Sequence, residues 1–101
     1  MNNPDGRSLM SDLTQDYRTT LLRFLPRQDE AARAAAYELG RRAFSDGVSL
    51  LDVCGVHHDV ALEVLRETNA DDYLDVVENA AELLLEVLAA YDMTHRVVLE
   101  P

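Results

Sequence analysis

Residues 70–99 read ADDYLDVVENAAELLLEVLAAYDMTHRVVL, with no Gly or Pro anywhere in the run. As one α-helix this stretch spans about 45 Å, most of the width of a small domain. At about 100° per residue, one stripe collects Tyr73, Val77, Ala80, Leu84, Val87, Leu88 and Tyr91. The opposite stripe is Asp71, Asp75, Glu78, Glu82 and Glu86, all acidic. Val76, Leu83 and Ala90 widen one apolar flank, and Leu74, Ala81, Leu85 and Ala89 widen the other. The apolar arc covers roughly 200°, against about 100° for an ordinary surface helix. Such a helix either lies deep in a core or serves two interfaces, one inside the domain and one against a partner or a second copy. Leu85 and Ala89 sit closest to the acids, at the edge of the arc.

The rest of the chain must supply the partners of that helix, and its size limits them. With 101 residues there is one domain, 48% hydrophobic and 28% charged, a globular composition. The net charge is −10, unevenly spread. Residues 61–101 hold Arg66 and Arg96 against ten acids, while residues 1–60 hold seven Arg against nine. Nucleic acid is a poor partner for this surface, because binding it requires neutralised phosphates. A partner with a basic patch is favoured. No apolar run approaches the roughly 20 residues of a membrane span, and no secretory signal pattern opens the chain. The single Cys54 makes no internal disulfide, which fits a cytoplasmic protein.

Upstream of residue 70 the spacing predicts three more helices, giving four near residues 8–25, 28–46, 49–67 and 70–98, and no sheet. Residues 1–7, MNNPDGR, are an expected unstructured start. Ser8 is the expected cap of helix one, whose face is Leu9, Leu13, Tyr17, Leu21 and Phe24, and Pro26 stops it. Helix two opens at Gln28 or Asp29 and contains the run AARAAA. Its small side chains, with Gly40, allow a neighbouring helix to come close. Gly47 is the expected left-handed residue after it. Ser49 caps helix three, with Asp52 as the second half of a capping box. Its apolar set runs Leu50, Val53, Val56, Val60, Ala61 and Val64. The short connections are those of an all-α, four-helix bundle-like domain.

Few residues suggest chemistry. Cys54 and His57 are three apart on one face, two metal ligands where a tetrahedral site needs four. A small buried cysteine and a packed histidine is the plainer reading, so no metal and no cofactor are expected. His58 followed by Asp59 on a bundle helix is the arrangement of a phosphoacceptor histidine, since a solvent-facing imidazole beside a carboxylate can take phosphate on nitrogen. No nucleophile triad, positioned carboxylate dyad or phosphate loop is present, so catalysis by this chain is not expected.

Three segments in order carry a family resemblance: QDYRTTLLRFL at 15–25, AYELGRRAFSDGVSLLDVCGVHHDVAL at 36–62, and LLLEVLAAYDMTHR at 83–96. Together they resemble the N-terminal domain of RsbU-type phosphatases, the group related to the KaiA C-terminal domain, in its actinobacterial form. The resemblance spans roughly residues 13–96. It implies a homodimeric helical module that precedes a PPM-type serine/threonine phosphatase domain. It also implies a partner, a switch kinase of the RsbT type, that turns on the phosphatase in stress sigma-factor signalling. Docking positions on helices two and four then correspond to Ala34, Leu85 and Ala89, with Glu82 of the acidic stripe beside them. Ala34 and Ala89 are smaller than the residues common at such positions. The ending Glu100-Pro101 is expected to be a domain edge, with the chain a fragment of a longer regulator.

Overall fold

The computed structural model describes the backbone of residues 6–99 and the side chains of residues 9–99. Four helices form, α1 (Gly6–Phe24), α2 (Glu30–Ser45), α3 (Leu50–Arg66) and α4 (Tyr73–Leu99), with a 3-10 turn (Ala70–Asp72) leading into α4. Among the described residues there is no strand. The all-α expectation therefore holds, with boundaries moved by a few residues. α1 begins at Gly6, so Ser8 lies inside the helix and is not its cap. Residues 1–5 of the expected unstructured start lie outside the described residues.

Local chemistry sets each helix end. Pro26 has no N–H and cannot continue α1. The Gln28 amide donates to the carbonyls of Phe24 (2.6 Å) and Leu25 (3.0 Å) at the helix end, where the Phe24 carbonyl also accepts from the Arg27 N–H at 3.3 Å. Asp29 caps α2, its Oδ1 accepting from the Ala32 N–H at 2.9 Å. α2 closes in a complete Schellman motif. Gly47 N–H donates to the Phe44 carbonyl and Val48 N–H to the Ala43 carbonyl, both at 3.0 Å. That motif needs a left-handed residue at position 47, and Gly47 has φ of +80°. Ser49 Oγ accepts from the Asp52 N–H at 3.1 Å. The return bond from Asp52 is not formed, so the expected capping box is a single-sided cap.

Helices α2 and α4 run side by side in the same direction and make the most extensive contact in the domain. Alanine makes this possible. Ala32, Ala36 and Ala43 of α2 are buried with Ala80 and Ala90 of α4, around Gly40. A Cβ on Gly40 would collide with the Val87 carbonyl and lie 2.9 Å from Ala90 Cβ. α1 packs on both, its Tyr17, Leu21 and Phe24 fully buried. α3 completes the core with Val53, Val56 and Val60. Tyr91 Oη donates to the Val48 carbonyl at 2.6 Å and ties α4 to the α2–α3 corner.

The buried stripe of α4 is Val76, Ala80, Leu83, Val87 and Ala90. It is turned by about 60° from the stripe the sequence spacing predicts. Tyr73 and Val77, expected inside, are 47% and 48% exposed. The flank of Val76, Leu83 and Ala90 is the true centre, because it is the flank that α2 approaches. Leu9 of α1 and Leu50 of α3, also expected on buried faces, are likewise exposed.

Candidate functional site

Two features follow from this packing: a polar contact inside the bundle and an outward face shared by α2 and α4. The polar contact joins α1 to α3. Tyr17, fully buried, shares a hydrogen bond between its hydroxyl and His57 Nδ1 at 2.8 Å, the rings edge-on at 5.8 Å. A neutral imidazole accepting at Nδ1 carries its proton on Nε2. Burial, and then the neighbouring His58, hold the His57 pKa below its ordinary value. Burial, and then the nearby Cys54, push the Tyr17 phenol well up. Among the described residues no third ligand converges on Cys54 and His57.

This arrangement has a pH consequence. Burial disfavours the charged ring of His57, so the unfolded chain binds that proton more readily than the folded one. Stability is therefore complete above the ordinary histidine pKa of about 6.5 and declines as pH falls below it, towards the lowered folded value. His57→Gln keeps an acceptor without a titrating ring. Chemical denaturation between about pH 7.5 and pH 5 should show the wild-type stability falling and this histidine-dependent part of the fall missing in the variant.

The outward face is built on α4. Past the buried stripe, the helical step brings round Glu86, Met93, Glu82, Ala89 and Leu85 in turn. Leu85 is 67% exposed, and Ala89 and Glu82 are exposed as well. On the α2 side, Ala34 is exposed, and the half-exposed ring of Tyr37 lies between it and Gly40 around the helix. All four sequence-derived docking positions are therefore on the surface, and α2 and α4 carry them on one side of the molecule. Leu85 lies at one margin and Ala34 at the other.

Arg33 joins the two halves. Its Nη1 donates to Glu86 Oε2 at 2.5 Å, its Nη2 lies 3.8 Å from Glu82, and its guanidinium sits 5.8 Å from the Phe24 ring centroid. Glu86 is thus half-buried and paired, whereas Glu78 and Glu82 remain exposed. Sequence reasoning missed Arg33, Tyr37 and Met93. The signal for Arg33 was present, a lone charge inside AARAAA, four residues before Tyr37. His58 and Asp59 are both exposed on α3, away from this face.

Residues 15–94 match the family model described as the N-terminal domain of the phosphoserine phosphatase RsbU. The chain belongs to the RsbU N-terminal domain family. The match runs from Gln15, in the third turn of α1, to Thr94, near the end of α4, so it covers both helices that build the outward face. No curated protein and no solved structure matches the chain. No helix among the described residues is long and apolar enough to cross a membrane.

Proposed function

We propose that this chain is the non-catalytic regulatory and dimerisation module of an RsbU-like serine/threonine phosphatase. It binds a switch kinase of the RsbT type in the cytoplasm and so controls phosphatase activity in stress sigma-factor signalling. The observation that carries this reading is the α2/α4 face. Leu85, Ala89 and Met93 make an exposed apolar strip beside Glu82 and Glu86, and Arg33 pins the adjoining helix. An apolar anchor rimmed by charge is the anatomy of a transient protein interface. The acids select a basic-rimmed partner and speed its approach. Family membership supports the regulatory role. The face adjoins α4, the helix that ends the described chain, so a partner that prefers one arrangement of α4 can shift whatever α4 is joined to.

The test is calorimetric titration of the chain with a purified switch kinase of this type encoded beside it. Saturable binding that weakens as salt rises is the expected result. No heat and no complex at high micromolar concentrations of both proteins overturns the reading. A second reading rests on one observation, the exposed His58 beside Asp59 on α3: a histidine phosphotransfer and dimerisation bundle. Acid-labile phosphate on wild type and not on His58→Gln, after incubation with a phosphodonor, would favour it.

A further inference from the structure

The turn that closes α2 and opens α3 meets α4 near its end, and a pocket of about 360 Å³ lies there, open to solvent. Its lining is Phe44 of α2, Ser49 and Leu50 at the start of α3, and Tyr91, Asp92 and His95 of α4. Three of these six side chains are rings. Phe44 and Tyr91 stand almost perpendicular, with ring centroids 5.4 Å apart, and the His95 ring is tilted against Phe44 at 5.5 Å. The corner is fixed before anything binds. Tyr91 Oη donates to the Val48 carbonyl, Gly47 and Val48 complete the Schellman motif, and Ser49 caps α3. Leu50 is 47% exposed, a large apolar side chain that the fold leaves largely uncovered.

We infer that this pocket receives the guanidinium of an arginine presented by a partner protein. Aromatic faces attract a cation through their quadrupole, and a planar guanidinium also stacks on a ring. Asp92 supplies the carboxylate. Its Oδ2 accepts from Arg96 Nε at 3.0 Å, and both side chains are more than half exposed, so the pair yields readily to a competing cation. Arg96 itself does not line the pocket, and no other arginine or lysine does. The net charge of −10 draws cations to the chain as a whole. An anion is what the N-terminus of α3 alone would attract. Asp92 on the lining and Asp52 in the first turn of α3 oppose it. A free amino acid fits poorly, because no basic side chain of the lining stands ready for its α-carboxylate. The open mouth suits a side chain carried on a larger body. Leu85, Ala89 and Glu82 do not line this pocket, so it is a separate site from the switch-kinase face.

Titration of the isotope-labelled chain with N-acetylarginine amide, followed by amide shifts, tests this. Saturable shifts should cluster at Phe44, Ser49, Leu50, Tyr91 and His95, with a dissociation constant on the order of 1–10 mM for a single side chain. N-acetylnorleucine amide, of similar reach and without charge, should bind about 10-fold more weakly. N-acetyllysine amide should also bind more weakly, since an ammonium does not stack. Free L-arginine should bind no more tightly than the blocked form. Asp92→Asn should weaken the arginine probe about 3–5-fold. Phe44→Leu, which removes the central ring and keeps apolar bulk, should weaken it about 3-fold. Glu78→Gln, an exposed acid outside the pocket, should leave it unchanged.

No saturable shift at the pocket up to about 50 mM probe overturns the site. Norleucine or lysine probes that bind as tightly as arginine overturn guanidinium recognition. Free L-arginine that binds more tightly than the blocked form overturns the partner protein as its source. Shifts spread along Asp75, Glu78 and Glu82, or a loss in Glu78→Gln equal to that in Asp92→Asn, mean diffuse attraction to the acidic stripe and overturn the pocket. Should Phe44→Leu fail to fold, Asp92→Asn, which changes an exposed side chain, decides with the probe series on wild type.

Discussion

Gly40→Ala is expected to destabilise the domain by roughly 3 kcal/mol or more, and Gly40→Val to leave it unfolded. The sign is the opposite of what helix propensity dictates. Inside a helix, Gly to Ala gains about 1 kcal/mol. Here the added methyl has nowhere to go: it meets the Val87 carbonyl oxygen, with Ala90 Cβ at 2.9 Å and the Tyr91 nitrogen at 3.1 Å. Two of those three atoms are backbone, so no rotamer change relieves the contact. The whole of α4 must move away from α2, along the broadest packed seam in the domain. For a domain of this size, 3 kcal/mol lowers Tm by on the order of 15 °C. Gly55, with open space around its missing Cβ, is the control. Gly55→Ala should be neutral or raise Tm slightly. Thermal unfolding of the two variants checks both signs, and a Gly40→Ala within about 0.5 kcal/mol of wild type would mean the helices can part at little cost.

That contact also explains what the sequence showed and what it hid. Four helices were legible because each has apolar residues at three-and-four spacing and a chemical stop: Pro26, Gly47, or the Thr68-Asn69 turn. The close-packing role of Gly40 was legible from its place after an alanine run. The rotation of α4 was not. A wheel weights bulk, and the large side chains Tyr73, Val77, Leu84 and Leu88 pull its centre towards the α3 flank. The structure weights proximity, and helices come nearest where side chains are smallest, at Ala80 and Ala90. Small residues that let backbones approach give almost no hydrophobic signal of their own.

The candidate site was legible in part for the same reason. Leu85 and Ala89 stood at the edge of the apolar arc next to the acids, and both are exposed. The ion pair of Arg33 with Glu86 joins residues far apart in the chain and had no local signature. It changes the acidic stripe from five equal charges into a paired end and a free end. The Tyr17–His57 bond, linking α1 to α3, was hidden likewise.

Leu83 and Leu85 are two residues apart, and substituting them should separate folding from binding. Leu83 is fully buried in the core, whereas Leu85 is two-thirds exposed. Leu83→Ala opens a cavity in the core and should cost about 2–5 kcal/mol. Whatever remains folded should bind the switch kinase with unchanged affinity. Leu85→Asp should change stability by no more than about 0.5 kcal/mol, since a surface side chain gives up little on substitution. It should weaken binding at least ~100-fold, because the partner loses its apolar anchor and must desolvate a new carboxylate beside Glu82. Glu82→Arg belongs to a third class. It should slow association and flatten its salt dependence while the dissociation rate changes little. Denaturant unfolding gives the first quantity, and surface plasmon resonance at two salt concentrations gives the others. A Leu85→Asp variant that unfolds would place Leu85 in the core. One that binds normally would move the anchor to the other margin of the face, where Ala34 and Tyr37 are the positions to change next.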